Sequence, residues 1–312
     1  MGSMGRNHAR VLSQISGCHL AGIYDTDESR ARQICGLYNC IGFKDLDELI
    51  NKVEAIIIAA PTLLHGTLGQ KCLGQGIHVL MEKPLAANIL EAEKLVHLAE
   101  KNKLVLMAGH IERYNPAVSL MIDKIKENQE PVISFEARRL NPFDGTRCLD
   151  VDVLYDLLIH DADLALEIAA SDISNIWAVG KKIYSDLVDD AHTLVHFNNG
   201  VIASFWTSKC SPRKIREINV TTKSRFYQAN CVTRSLSVHS AKNVDQDENR
   251  ECLMGDISVE EFGQSEKEPL KAEVEDFIRS IKNNGSPTTN GQRALESLVF
   301  LEKISKAIKS NY

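Results

Sequence analysis

Two rhythms of apolar and polar residues run along this chain, and the first gives way to the second near residue 115. In the first part, short unbroken apolar runs alternate with stretches whose apolar residues recur three and four positions apart. The runs predict strands over 19–24, 40–43, 53–60, 77–81 and 104–108. The spaced stretches predict helices over 4–15, 28–37, 46–51, 65–75 and 88–101. The last of these has Asn88 as N-cap and Leu90, Ala92, Leu95, Val96 and Leu98 on its inner side. Apolar strands separated by amphipathic helices imply a parallel sheet covered on both faces.

Beyond 115 the pattern predicts strands over 132–140, 190–197, 201–208, 214–221 and 225–232, with one long helix over 151–170. Asn198-Asn199-Gly200 separates two of the strands, and Asn-Gly favours the positive φ angles of a tight hairpin. Residues 241–268 are acid-rich and poor in aromatics, which suggests an exposed excursion. Amphipathic helices over about 269–283 and 291–309 close the chain, the second with Leu295, Leu298, Val299, Leu301, Ile304 and Ile308 on one stripe. The expected architecture is an α/β chain of two domains. A Rossmann-type parallel sheet occupies 1–113, and an α+β domain on a mostly antiparallel open sheet occupies 114–312.

Composition narrows the chemistry. The 312 residues carry a net charge of −6, which argues against nucleic acid as a partner because phosphate binding needs a dominant basic face. Eight cysteines lie scattered with no Cys-x-x-Cys, so reduced thiols in a cytoplasmic protein are expected rather than a disulfide framework or zinc site. The apolar run at 55–61 is far short of the roughly 20 residues that cross a bilayer, so no membrane association is expected. His192 and His196 share one face of a strand with no companion acid or cysteine near, and no metal site is expected.

The N-terminal Gly2-Ser3-Met4-Gly5, followed by helix, matches the last two glycines of a Gly-x-Gly-x-x-Gly dinucleotide fingerprint; the alternative is an ordinary turn. Asp25, twenty residues on at the end of the second expected strand, stands where an acid receives the ribose hydroxyls of NAD and would repel the 2′-phosphate of NADP. The first strand and first glycine of such a unit would precede Met1. The expectation is therefore a natural start upstream, the alternative being an impaired cofactor site. Further along, Lys83 follows an apolar strand, while Asp156 and His160 sit four apart on one helical face. A lysine, an aspartate and a histidine held on rigid elements can take a proton from a sugar hydroxyl.

Gly2-Ser3-Met4-Gly5-Arg6-Asn7-His8, Ala60-Pro61-Thr62 with His65, Glu82-Lys83-Pro84 and Asp156-x-x-x-His160-Asp161-Ala162-Asp163 together resemble the glucose–fructose oxidoreductase/inositol dehydrogenase (Gfo/Idh/MocA) family. The resemblance implies NAD as cofactor, bound by Gly2, Ser3, Met4, Gly5 and Asp25. Ala60, Pro61, Thr62, Glu82 and Lys83 complete that cofactor set, and His65 either borders the nicotinamide or caps a strand-to-helix turn. It also implies a catalytic set in which His160 is the general base, Lys83 donates to the developing alkoxide, and Asp156 orients the imidazole or binds a neighbouring hydroxyl. Pro84 fixes the turn that aims Lys83, through a cis bond in one reading.

Two finer stretches, Gly109 to Val118 and Arg138-Arg139-Leu140-Asn141-Pro142-Phe143 through Arg147 to Asp152, resemble the branch containing UDP-N-acetylglucosamine 3-dehydrogenases. That resemblance implies a UDP-sugar substrate and an aminotransferase that takes the 3-keto product, as in the synthesis of some lipid A. Arg113, Tyr114, Asn115, Arg138 and Arg147 are the candidate substrate contacts, arginine forks suiting a diphosphate. For the basic residues the alternative is a role as solvated edge protectors. A polyol or simple-sugar dehydrogenase, and a dinucleotide-binding regulator without turnover, remain open as other functions. A homodimer or homotetramer is the expected assembly.

Overall fold

Val79, Leu80 and Met81 retain no exposed surface, as expected for a strand covered on both faces. They belong to the first of two units in the structure, a computed structural model that describes residues 2–143, 152–241 and 257–310. This unit comprises Met1–Tyr114 and Lys267–Leu298. In chain order it contains α1 (Ser3–Leu12), β1 (Gly22–Tyr24), α2 (Glu28–Tyr38), β2 (Ile41–Phe43), α3 (Leu46–Ile50) and β3 (Ala55–Ile58). There follow α4 (His65–Gly74), β4 (His78–Met81), α5 (Ile89–Asn102) and β5 (Leu106–Ala108). All the strands pair in parallel, β1 with β2 and, as a separate trio, β3 with β4 and β4 with β5. The Rossmann-type alternation expected from the sequence is therefore present. Strands expected over 19–24 and 53–60 are shorter here because their ladder partners run for only three and four residues. Asn88 caps α5 as expected, its side chain accepting the Glu91 amide at 3.0 Å.

The second unit comprises Asn115–Glu266 and Val299–Tyr312. It opens with α6 (Pro116–Asn128) and β6 (Val132–Leu140), then α7 (Ile159–Ala169), β7 (Ile173–Lys181), β8 (Asp190–Phe197) and β9 (Ile202–Ser208). It continues with β10 (Ile215–Thr222), β11 (Arg225–Asn230), β12 (Ser235–Ala241) and β13 (Ile257–Phe262). These strands form one sheet in the order β13-β12-β11-β10-β6-β9-β8-β7, with β6–β9 the parallel pair among otherwise antiparallel neighbours. Phe135, Ala137, Val195, Ala203, Phe205, Ile218 and Tyr227 on one face share a core with Val118, Met121, Leu158 and Leu164. The opposite face exposes Ile133, Trp177, Leu194, Ile202 and Trp206.

Four elements of this unit, α6, β7, β12 and β13, are absent from the sequence expectation. In β7 the period-2 signal is inverted: small Ala178 and Gly180 face inward while Trp177 and Val179 face out. Strand β13 carries Glu260 and Glu261 at an edge and lies within the stretch read as an acid-rich excursion, whose residues 242–256 fall outside the described ones. The hairpin after β8 forms as expected, but only Gly200 takes positive φ, at +90°. Its amide donates to Phe197 O at 3.0 Å, and the Phe197 amide donates to Val201 O at 2.9 Å.

The chain then returns to the first unit through α8 (Pro269–Lys282), ahead of α9 (Gly291–Lys309). Leu270 and Val274 of α8 pack with Val11 and Ile15, and Phe277 packs with Leu80, Val105 and Met107. The Ala108 amide donates to Thr289 O at 2.9 Å, and Asn290 bridges Met107, so this return covers the outer edge of β5. Among the described residues no helix is long and apolar enough to cross a membrane.

Glu130, between α6 and β6, ties down the β10–β11 turn by accepting from the Thr222 hydroxyl, the Ser224 amide and hydroxyl, and the Arg225 guanidinium. Partial burial pushes its carboxyl up, but these donors and the Arg225 charge outweigh that and bring it down to about 2. A depressed carboxyl stabilises the fold above its unfolded value near 4.5 and loses that contribution as pH falls toward 2. Glu130→Gln is expected to cost about 2 kcal/mol at pH 7. The gap between wild-type and variant urea midpoints should narrow by pH 3; an unchanged gap would remove Glu130 from the acid response.

Candidate functional site

In the first unit the candidate residues gather around the ends of β1, β3, β4 and β5. Helix α1 starts at Gly2, in an extended conformation with φ −69° and ψ 179°. Among the described residues no side chain caps its first amides, and its first turn carries no acid. Bare N-terminal amides and the positive end of the helix dipole suit a pyrophosphate. Gly5 is buried on the same helix. Asp25 follows β1, and its Oδ1 accepts the Asp27 amide at 2.8 Å. This set fits a dinucleotide: amides for the diphosphate and a carboxylate for ribose hydroxyls.

Ala60, Pro61 and Thr62 form the loop after β3, which turns through a short 3-10 segment into α4. His65, at the start of α4, is buried; its Nε2 lies 2.9 Å from Ala60 O and its Nδ1 2.8 Å from Pro84 O. The imidazole thus stands between the Ala-Pro-Thr loop and the Glu-Lys-Pro turn. The Lys83–Pro84 peptide bond is cis. Lys83 is half-buried, and the buried Glu82 beside it bonds His8 Nε2 through Oε1 at 2.7 Å and accepts the Lys83 amide at Oε2, 3.3 Å away. A β-carbon at Gly109 would stand 3.2 Å from Glu82 Oε2, so glycine there lets the chain pass close to this carboxylate.

Sequence reasoning quoted His8 within a motif but gave it no role. Its signal is its place one turn after Gly5 on the buried face of α1. Glu273 of α8 was missed altogether. It is wholly buried, neither carboxylate oxygen has a hydrogen-bond partner among the described residues, and burial with Glu82 and Asp276 raises it well above the usual carboxylate range. An ionised carboxylate without a donor costs several kcal/mol at such a place, and burial accordingly favours the neutral form of Glu273. Acids at 273 and 276 on the apolar stripe of Leu270, Val274 and Phe277 are the sequence signal for it.

Among the substrate candidates, Arg113 and Tyr114 lie on the short turn Ile111–Tyr114, where Arg113 is buried. The Tyr114 hydroxyl donates to Asp276 Oδ2 at 2.6 Å; burial and that acid raise the phenol. Asn115 caps α6 through the Ala117 amide and donates to Cys231 O at 3.0 Å. Arg138 pairs with Glu217 at 2.5 Å and lies 3.6 Å from Glu136. Arg147 lies outside the described residues.

Asp156 and His160 belong to the second unit, but the long helix expected over 151–170 differs at its start. Asp152 caps the Leu154 amide at 2.9 Å, a π-helical turn occupies Leu154–Leu158, and α-helix begins only at Ile159. Asp156 therefore sits in a widened turn, a feature frequent at functional positions, and its offset from His160 departs from the plain α-helical one. His160 is buried, and its neighbour Asp161 receives a two-pronged bond from Arg139, Nε to Oδ2 at 2.9 Å and Nη2 to Oδ1 at 2.7 Å. Both partners are almost wholly enclosed, and Arg139 clamps α7 to β6.

Residues 1–110 match the oxidoreductase family model for an NAD-binding Rossmann fold, and residues 133–224 match the Gfo/Idh/MocA C-terminal domain. The chain is 30% identical over 283 residues to UDP-N-acetylglucosamine 3-dehydrogenase of Acidithiobacillus ferrooxidans, covering 90% of this chain and 86% of that one. A solved structure of that enzyme superposes with a TM-score of 0.89 at 28% identity, over 99% of this chain and 95% of the other. Myo-inositol 2-dehydrogenase of Thermotoga maritima is 22% identical over 99% of this chain and 94% of its own.

Asp161→Ala is expected to destabilise the protein by about 3–5 kcal/mol by leaving a buried guanidinium unpaired. Replacing both partners with apolar residues, Arg139→Met with Asp161→Leu, should cost clearly less. Denaturant midpoints for the two variants check this, and equal losses would show that the pairing itself is not what matters.

Proposed function

This chain belongs to the Gfo/Idh/MocA family of oxidoreductases, and on that premise we propose that it oxidises the 3-hydroxyl of UDP-N-acetylglucosamine to a ketone. It is an NAD-dependent sugar dehydrogenase; the proposal concerns which sugar and which residues. The observation that carries it is the similarity to the Acidithiobacillus ferrooxidans enzyme along 90% of this chain.

NAD supplies the hydride acceptor. The remaining work falls to side chains. In the proposed mechanism His160 takes the hydroxyl proton as the carbon-bound hydrogen leaves with its electron pair, and the carbonyl forms. The Lys83 ammonium donates to the same oxygen while negative charge builds on it. Asp156 orients the imidazole or holds a neighbouring hydroxyl. Arg113, Arg138 and Arg147 are the proposed diphosphate contacts, guanidinium forks suiting a diphosphate. Tyr114 and Asn115 are proposed to border the sugar through their backbone and remaining faces. A 3-keto sugar is a ready acceptor for an amino group, so an aminotransferase is the proposed consumer of the product. The apolar open face of the sheet supports a symmetric homodimer or homotetramer, in which Trp177, Leu194 and Trp206 would meet their copies.

The similarity to myo-inositol 2-dehydrogenase over 99% of this chain supports a second reading, oxidation of a free polyol. A substrate panel followed at the NADH absorbance separates the two. UDP-N-acetylglucosamine is expected to be turned over, with an aminotransferase present to draw off the ketone; turnover of myo-inositol with an inert UDP-sugar selects the second reading. Bound NADH with no turnover on any member of the panel would point to a regulator.

Lys83→Ala and His160→Ala are each expected to lower kcat by about 10²–10⁴-fold. Calorimetry should find NAD affinity nearly unchanged in His160→Ala. Near-wild-type turnover in either variant would remove that residue from the mechanism.

A further inference from the structure

His8 has no part in the proposed chemistry, yet it stands where α1 meets the turn that carries Lys83. It lies on the buried face of α1 with Gly5, Ala9 and Val11. Its Nε2 is 2.7 Å from Glu82 Oε1, and both side chains are nearly enclosed. Glu82 is in turn tied to the sheet: its amide donates to Ile58 O at 2.9 Å. Gly109, whose amide donates to Met81 O at 2.8 Å, passes close against it. The second carboxylate oxygen of Glu82 takes the long bond from the Lys83 amide. On the far side of the lysine, His65 Nδ1 lies 2.8 Å from Pro84 O. The turn is thus contacted on either side of Lys83, by His8 at Glu82 and by His65 at Pro84. The other ring nitrogen of His8 is buried with no hydrogen-bond partner among the described residues. Such an unsatisfied nitrogen costs stability that an apolar residue of similar size would keep, so packing alone does not account for a histidine here. What an apolar residue could not supply is the bond to Glu82.

We propose that His8 is a positioning residue for Lys83, acting through Glu82. The first amides of α1 suit a pyrophosphate, so the helix that would seat the dinucleotide also holds the carboxyl at the start of the lysine's turn. The imidazole thereby sets that turn in register with the cofactor helix. Whichever atom carries the shared hydrogen, a 2.7 Å contact between two enclosed side chains permits few geometries. Without it, Glu82 keeps among the described residues only the long side-chain bond from the Lys83 amide. A buried carboxyl so left shifts toward other donors or water, and the next residue shifts with it. A displacement of about 1 Å in a group that acts on the reacting oxygen costs up to about 10²-fold in rate. The inference deepens the catalytic assignment of Lys83 and rests on it for its activity readout, though not for its structural one.

Three variants at position 8 test it: His8→Leu, which removes the polar ring; His8→Gln, whose longer amide can reach Glu82; and His8→Asn, whose amide falls short. In His8→Leu and His8→Asn kcat should fall about tenfold to a hundredfold with the KM for NAD within about threefold, and His8→Gln should recover most of the loss. In a Glu82→Met background His8→Leu should lower kcat no further, because the route from His8 to Lys83 is already cut. Amide hydrogen exchange supplies a readout without turnover: the Lys83 amide should exchange faster in His8→Leu and not in His8→Gln, with the helical amides of α1 unchanged. An unchanged Lys83 amide in His8→Leu, or losses that multiply in the double variant, overturn the proposal. So does wild-type kcat in His8→Leu where Lys83→Ala loses it. A faster Lys83 amide with wild-type kcat in both His8→Leu and Lys83→Ala upholds the positioning and strikes the catalytic assignment instead. Should His8→Leu fail to fold, the two amide variants decide: lower kcat in His8→Asn than in His8→Gln supports the proposal, and equal values overturn it.

Discussion

A charge taken out of water must be met by another charge or by donors, and both units solve that constraint right beside a candidate catalytic residue. In the first, the buried Glu82 is met by His8 at 2.7 Å, and the next residue is Lys83. In the second, Arg139 and Asp161 clasp each other with two bonds, and the residue before Asp161 is His160. Such a pair adds little net stability against an apolar replacement, but it tolerates few geometries. Each pair therefore restrains the backbone of the residue next to it, Lys83 in one case and His160 in the other.

The same constraint acts on several residues expected from the sequence to contact a ligand. Tyr114, Asn115 and Arg138 carry the polar groups that a sugar or diphosphate would want, yet the fold engages each with Asp276, Cys231 or Glu217. Residue type alone cannot distinguish a donor kept for substrate from one that satisfies a buried carbonyl or acid. Within this chain the distinction lies in partners more than 75 residues away, beyond the reach of any local pattern.

Much of the fold was legible because its signal is local. The parallel strands read as unbroken apolar runs, Asn88 as a cap, and the 132–140 and 190–197 strands match their observed ends. The Lys-Pro bond expected in one reading to be cis is cis. Where the sequence misled, the physical cause can be named. Strand β7 turns its large residues outward and its small ones in, against the packed Ile308 and Val188, so its pattern points to the wrong face. The π-helical turn at Leu154–Leu158 has the composition of ordinary helix and no distinguishing residue. Glu273 hid as an acid on what otherwise reads as an apolar stripe.

The return of residues 267–298 to the first unit has a consequence for how the molecule comes into being. Helix α8 supplies Leu270, Val274 and Phe277 to the cores around α1 and β4, and the stretch after it closes the edge of β5. As the polypeptide leaves the ribosome, the cofactor-binding half is the first to be synthesised and among the last to be finished. Until some 150 intervening residues have emerged, Val11, Ile15, Leu80 and Met107 lack their covering, and the nascent chain must carry that apolar surface unburied.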